Sequence, residues 1–258
     1  MKLPANPFLK ALRAGNRQVG IWVSLSSPYA AEAIAPAGYD WALLDMEHSP
    51  NELPTLLGQL QAFAASGTTA IVRPDWNDPV KVKRLLDLGV PGLLFPMVET
   101  PEEARTAVAA CRYPPRGKRG VAGTTRANAF GRIADYYTRV EEETAILIQL
   151  ETRQAVENAV AFAEVDGVDG IFFGPADIGA DIGLLGQPMA PQVWDLIRPA
   201  ARRLIDRGMP VGTLVSDADF AAELLSEGFT FVACGSDAGL LAKGADRLLA
   251  AVRDKITE

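Results

Sequence analysis

Apolar residues fall along this chain in two alternating patterns. In one they follow each other almost without a break, as in strands buried on both faces. Runs of this kind cover residues 19–25, 39–45, 68–74, 92–98, 145–151, 170–174, 210–215 and 229–235, which predicts eight strands. In the other pattern they recur at helical spacing: Leu53, Leu56, Leu57, Leu60 and Phe63 form one such face. A short helix over residues 7–15 opens the chain.

Polar residues punctuate the helices. Ser27-Pro28, Asp78-Pro79 and Thr100-Pro101 each place a capping side chain before a proline suited to the first helical turn. Glu103 completes a capping box with Thr100. Gly38, Gly67, Gly89, Gly208 and Gly228 stand where a helix stops and a strand begins, the position of a left-handed C-cap. Eight strands with intervening helices and no break in composition predict a single (β/α)₈ TIM barrel domain over residues 1–258. A doubly wound open sheet is the alternative. Its dinucleotide fingerprint is missing, because Ser26-Ser27-Pro28 follows the first strand.

Residues 112–135 break the rhythm, being too long for a plain connection of about 12–15 residues. They carry Arg112, Arg116, Lys118, Arg119, Arg126 and Arg132 against one acid, Asp135. Two readings stand: attraction of an anionic substrate, or a solvated loop whose arginines grip a neighbouring subunit. The chain as a whole carries −7, which argues against binding nucleic acid or an anionic membrane. Two cysteines, Cys111 and Cys234, make no disulfide framework and fit a reducing cytoplasm. No stretch reads as a secretory signal or a membrane span.

Barrel enzymes keep their chemistry at the C-terminal ends of the strands. That ring here offers Trp22, Ser24, Asp45, Glu47, His48 and Arg73 from the first half of the chain. The second half adds Gln149, Glu151, Gly174 to Asp177, Ser216 and Ser236. His48 is the only histidine, and so the first candidate to move protons near neutral pH; the plainer reading is a hydrogen-bonded structural histidine. Glu151 and Asp177 end neighbouring strands and, with Gln149 close by, suit a hard divalent cation. Alternatively Asp177 caps a helix and Glu151 pairs with an arginine. Arg73 can set a planar positive charge beside an anionic or enolising group, or form a salt bridge with Glu47. The turn Gly174-Pro175-Ala176 can hold a carboxylate or phosphate on backbone N–H groups. No strand run ends in lysine, since Lys81, Lys83 and Lys243 fall on helices and Lys118 in the irregular loop, so Schiff-base chemistry is not expected.

Taken together, Asp45-Met-Glu-His-Ser-Pro-Asn51, Val72-Arg-Pro74, Tyr113-Pro-Pro-Arg-Gly117 with Arg119-Gly-Val121, Gln149-Leu-Glu-Thr152 and Phe173-Gly-Pro-Ala-Asp177 form a recognisable set. The chain resembles the metal-dependent hydroxyketoacid aldolases, the 4-hydroxy-2-oxoheptanedioate aldolase family of class II pyruvate aldolases, over essentially its whole length. The resemblance implies Glu151 and Asp177 as ligands to Mg²⁺, Mn²⁺ or Co²⁺, with pyruvate chelating that ion. It also implies that Gly174, Pro175 and Ala176 bind the substrate carboxylate and that Gln149 and Trp22 lie near pyruvate. Arg73 would stabilise the enolate, an Asp45–His48 dyad would handle protons, and Glu47 would hold water behind the ligands. The reaction implied is reversible aldol addition of pyruvate to an aldehyde. The family assembles as homohexamers, trimers of dimers, with the last helix exchanged between partners; residues 237–253 would supply that helix here. Two alternatives remain. One is a related lyase acting on citramalyl- or malyl-CoA-type thioesters, with the basic loop meeting the nucleotide; the other is a non-catalytic carboxylate-binding barrel.

Overall fold

The computed structural model describes residues 1–257, and in it eight parallel strands close into a barrel in sequence order. They are β1 (Gln18–Val23), β2 (Trp41–Asp45), β3 (Thr69–Arg73), β4 (Gly92–Phe95), β5 (Ala145–Leu150), β6 (Gly170–Phe173), β7 (Val211–Leu214) and β8 (Phe231–Ser236), and β8 pairs back onto β1. Helix α1 (Pro7–Arg13) precedes the barrel; α2 (Pro28–Ile34), α3 (Leu53–Phe63), α4 (Pro79–Asp87) and α5 (Pro101–Cys111) follow the first four strands. The second half carries α6 (Tyr136–Arg139), α7 (Arg153–Glu157), α8 (Ala159–Ala163), α9 (Pro175–Asp181), α10 (Pro191–Ile205), α11 (Ala218–Glu227) and α12 (Asp237–Thr257).

The predicted caps form. Ser27, Asp78 and Thr100 each accept a backbone N–H in the first turn of α2, α4 and α5, and Glu103 completes the box at Thr100. Gly38, Gly89, Gly208 and Gly228 take the left-handed conformation, but Gly67 does not. The turn before β3 is closed instead by side chains, with Ser66 Oγ accepting from Thr68 N and Thr68 Oγ1 donating to Tyr39 O. The largest boundary error is at β4. It stops at Phe95 rather than 98 because Met97 turns into the left-handed region, at φ 50°.

Inside the barrel, Trp41, Leu43, Ile71, Leu147, Phe172 and Phe231 pack together, and Phe8, Leu9 and Leu12 of α1 join them from the N-terminal end. Each fully buried side chain of this size contributes about 1.5–3 kcal/mol. Two strand glycines make room for the aromatics. A Cβ on Gly20 would lie 2.1 Å from the Trp41 ring, and one on Gly212 would lie 2.4 Å from Phe231. Outside the strands, the apolar faces of α3, α4 and α10 complete a second core.

Residues 112–135 contain no helix or strand, as the sequence indicates. Because they join α5 to β5, they lie at the N-terminal end of the barrel. Three of their six cations are answered locally: Arg112 meets Asp166 at 2.9 Å, Arg116 meets Glu141 at 2.8 Å, and buried Arg119 meets Asp87 at 3.0 Å. None of them lines the opposite mouth. The expectation that this loop draws a substrate or nucleotide into the mouth of its own barrel is therefore corrected. Helix α12 leaves the barrel with Leu240, Leu241, Leu248, Leu249, Val252 and Ile256 exposed. Among the described residues no helix is long and apolar enough to cross a membrane.

Candidate active site

The register of two strands explains the centre of the site. Asp45 and Arg73 are the last residues of β2 and β3 and sit directly opposite each other. Arg73 donates from Nε to Asp45 Oδ1 at 2.9 Å and from Nη2 to Oδ2 at 2.7 Å. Asp45 also accepts from Trp22 Nε1 at 3.1 Å and from Glu47 N at 3.0 Å. Burial opposes the Asp45 charge, yet the Arg73 pair and the other donors outweigh it and hold the carboxyl below its usual range. Arg73 in turn lies 4.9 Å over the Trp22 ring, which packs on Phe172 at 5.6 Å. The guanidinium is thus fixed on an aromatic floor.

Beyond Asp45 the chain makes a short loop. Asn51 Nδ2 and Ser49 Oγ both donate back to the Asp45 carbonyl, and Gln59 of α3 holds Asn51 Oδ1 at 2.7 Å. The loop is pinned at both ends to one carbonyl, and His48 projects from it, exposed, into the mouth. The expected Asp45–His48 dyad is not made: four donors already occupy the Asp45 oxygens, and His48 forms no hydrogen bond with it. Glu47 feels the charge of His48 and is also 2.8 Å from Arg73 Nη1 without hydrogen-bond alignment. Burial pushes the Glu47 carboxyl up, while Arg73 and His48 pull it back.

Across the mouth, Glu151 is buried at the end of β5. Its Oε1 accepts from Gln149 Nε2 at 2.8 Å and its Oε2 from Met97 N at 2.6 Å, so it pairs with no arginine. Burial, with help from Glu47 and Asp177, pushes its carboxyl up to about 8 against the pull of Met97 N–H and Arg73. Asp177 lies in the first turn of α9 and makes no cap; the N-cap is Gly174. A Cβ on Gly174 would come within 2.9 Å of Glu151 Cγ and 3.2 Å of Gln149 Nε2, so glycine is what lets β6 approach this pair. Gly174 N–H is committed to Leu150 O and Pro175 has none. The turn therefore presents the N–H groups of Ala176 and Asp177, which lack helical partners.

Trp22, His48, Arg73, Gln149 and the turn from Gly174 to Asp177 line a cavity of about 560 Å³ that also touches Leu214, Ser216, Asp217, Met189 and Lys243, with Asp45, Glu47 and Glu151 behind this lining. Sequence reading missed several of its features. Met97 and Asp237 act through backbone or buried polar contacts with no motif of their own; Asp237 gathers Ser24 N, Ser24 Oγ and Leu25 N. Lys243 reaches the rim from α12 although it stands on no strand. It is exposed, unlike the desolvated amine that Schiff-base chemistry requires.

The arrangement has relatives. Residues 18–244 match the model of the HpcH/HpaI aldolase/citrate lyase family. A pyruvate aldolase of Rhizobium etli is 50% identical over 250 residues, 97% of this chain and 98% of that protein. A 4-hydroxy-2-oxo-heptane-1,7-dioate aldolase of Klebsiella pneumoniae is 47% identical over 246 residues, covering 95% of this chain and 93% of its own. The crystal structure of an HpcH/HpaI aldolase/citrate lyase family protein from Burkholderia cenocepacia superposes with a TM-score of 0.93 at 36% identity, covering 96% of this chain and 100% of that one. With likeness of this extent in both sequence and fold, the chain belongs to the HpcH/HpaI aldolase/citrate lyase family.

Proposed function

We propose that this protein is a divalent-metal-dependent aldolase that adds pyruvate reversibly to aldehydes and cleaves 4-hydroxy-2-oxo acids such as 4-hydroxy-2-oxoheptanedioate. The observation that carries the reading is the opposition, across one mouth, of a clamped guanidinium and a cation-deficient acidic pair. Glu151 is buried with its charge opposed by Glu47 and Asp177, and Gln149 Oε1 is buried without a partner. Two hard carboxylates and an amide oxygen fit Mg²⁺, Mn²⁺ or Co²⁺. Among the described residues no cluster of three or more acid, histidine or cysteine ligands forms, so protein alone would not fill the shell.

Glu151 and Asp177 would hold the ion, which when bound polarises the substrate carbonyl and acidifies the adjacent methyl group. Arg73, fixed by Asp45 and Trp22, faces the oxyanion that develops when a methyl proton leaves, and needs no reorganisation to do so. Ala176 and Asp177 N–H groups receive the carboxylate. Gln149 and Trp22 border the pyruvate position, and Pro175 keeps the turn rigid. His48 takes the proton, and in cleavage the same group works on the 4-hydroxyl. Glu47 holds water between His48 and Arg73. The exposed apolar face of α12 supports a homo-oligomer, a hexamer built as a trimer of dimers with that helix exchanged. A cytoplasmic location agrees with the two free thiols.

The decisive experiment measures pyruvate released from racemic 4-hydroxy-2-oxoheptanedioate with and without a chelator. Cleavage is expected to vanish with the metal and to return with Mg²⁺, Mn²⁺ or Co²⁺. Glu151→Ala and Asp177→Ala are each expected to abolish it. Full turnover by metal-free protein would overturn the proposal.

A further inference from the structure

We propose, resting on the reading of His48 as the group that takes the methyl proton, that Gln59 is a positioning residue for it. Gln59 does not line the mouth; it sets the loop that carries His48 by orienting the amide of Asn51. The glutamine is out of keeping with its surroundings. It stands on the apolar face of α3, three positions after Leu56 and four before Phe63, and all three are buried. Its side chain is wholly excluded from solvent, and Oε1 has no partner among the described residues. A buried acceptor left unpaired weakens a fold, so stability does not explain a glutamine here.

What the amide supplies is direction. Nε2 carries two hydrogens and accepts none, and it donates to Asn51 Oδ1 at 2.7 Å and to Thr55 O at 3.2 Å. The Asn51 oxygen is thereby turned toward α3. Its NH₂ group must then face the loop, where Nδ2 donates to the Asp45 carbonyl at 2.9 Å. Thr55 cannot fix this orientation alone. Its hydroxyl has one hydrogen for two acceptors, Asn51 Oδ1 and Glu52 O, each at 2.8 Å. Gln59 meets both of its own acceptors at once.

The segment that this relay closes carries His48. Residues 46–50 leave the end of β2, and Asn51 ties them back to the Asp45 carbonyl. His48 is exposed, and among the described residues its ring makes no hydrogen bond of its own. Its place over the cavity is therefore inherited from the loop backbone. Ser49 Oγ also reaches the Asp45 carbonyl, but from within the loop; Asn51 and Gln59 connect that carbonyl to the buried face of a helix. Displacing a reacting group by about 1 Å can cost roughly a hundredfold in rate. A glutamine that weakens the packing of α3 is thus explained by what it does for the histidine.

Gln59→Met keeps the length of the side chain and removes the amide. It orphans nothing: Asn51 Oδ1 retains Thr55 Oγ1, Thr55 O has a donor within α3, and the solitary Oε1 disappears. The melting temperature is therefore expected to hold or rise. Exchange of pyruvate's methyl protons in deuterated water, measured on the metal-loaded protein, is expected to fall by at least about tenfold. Pyruvate affinity is expected to stay unchanged, because Arg73, Ala176 and Asp177 are untouched. Asn51→Ala breaks the relay at its other link and should also lose exchange. Combined with Gln59→Met it should lower the rate no further than Asn51→Ala alone, the mark of two residues acting through one contact. Wild-type exchange in either variant, a loss matched by a lower melting temperature of Gln59→Met, or additive losses in the double variant would each overturn the role of Gln59. No exchange by the wild type, or full exchange by His48→Ala, would instead sink the reading of His48 itself and the positioning role with it.

Discussion

Arg73 grips Asp45 with two parallel hydrogen bonds, 2.9 and 2.7 Å long, at a point where both side chains are buried. Removing the Asp45 charge leaves Arg73 buried with only Glu47 close by, a loss of up to about 3–5 kcal/mol for a buried pair. Asp45→Asn is therefore expected to unfold at markedly lower urea. The pair also predicts a pH dependence. The folded carboxyl lies below its usual range, so its stabilisation is complete above the unfolded pKa and fades as pH falls through the folded one. The stability gap between wild type and Asp45→Asn should shrink in acid, and a gap of constant size from neutral to acid pH would contradict the assignment.

Arg73→Lys keeps a positive charge but not the fork. A lysine ammonium cannot chelate Asp45 with two parallel bonds while facing the cavity. Turnover is expected to fall by at least about a hundredfold, the scale of losing one donor to a developing oxyanion. Activity within a few-fold of wild type would reduce Arg73 to a structural partner of Asp45 and Glu47.

How much of this could be read from residues alone depends on the range of the interaction. Ser27, Asp78 and Thr100 cap helices a few positions away, so local sequence specifies them. The strands were legible because burial on both faces leaves continuous apolar runs, as in Ala145–Leu150. Long-range commitments were not. Nothing near Asp45 in the chain announces that Arg73, Trp22 and Glu47 N will saturate its oxygens and exclude His48. Met97 donates through its backbone, which carries no residue signature, and its left turn cut the fourth strand short. The arginines of residues 112–135 were visible, but which end of the barrel they occupy is set by α5 and β5.

Gly174→Ala tests how closely the end of β6 meets Glu151 and Gln149. The added methyl would lie 2.9 Å from Glu151 Cγ and 3.2 Å from Gln149 Nε2, and both side chains are buried with little room to yield. Overpacking of this kind costs about 1–3 kcal/mol and displaces the neighbours. Metal affinity, followed by calorimetry, and turnover should both fall while the circular dichroism spectrum stays that of a barrel. Unchanged metal affinity would remove Glu151 and Gln149 from the ion's surroundings.

The exposed leucines of α12 bear on assembly. Leu241 and Leu248 are 66% and 70% exposed, on a helix that the barrel hardly touches. Sedimentation of the wild type is expected to give one species near six subunits. Leu241→Glu with Leu248→Glu should shift it to smaller species without unfolding the barrel, because neither residue contributes to the core. A wild-type monomer would refute the proposed hexamer.

His48 projects from a loop tied to the carbonyl of Asp45 by Ser49 and Asn51, and among the described residues no carboxylate is hydrogen-bonded to its ring. Its role in proton transfer must then rest on position over the cavity rather than on a dyad, and this separates two variants. His48→Ala removes the base and leaves the Arg73 clamp untouched. It should lower turnover by roughly 10²–10⁴-fold, the contribution of a positioned acid–base group, with pyruvate affinity retained. Exchange of pyruvate's methyl protons in deuterated water isolates that step from carbon–carbon chemistry, and it should fall by the same factor. Asp45→Asn should instead weaken pyruvate binding as well, because it loosens Arg73. If both variants lose exchange equally while keeping pyruvate affinity, the two residues act as a unit in solution. If His48→Ala exchanges at the wild-type rate, another group takes the proton and His48 is left with the acceptor aldehyde.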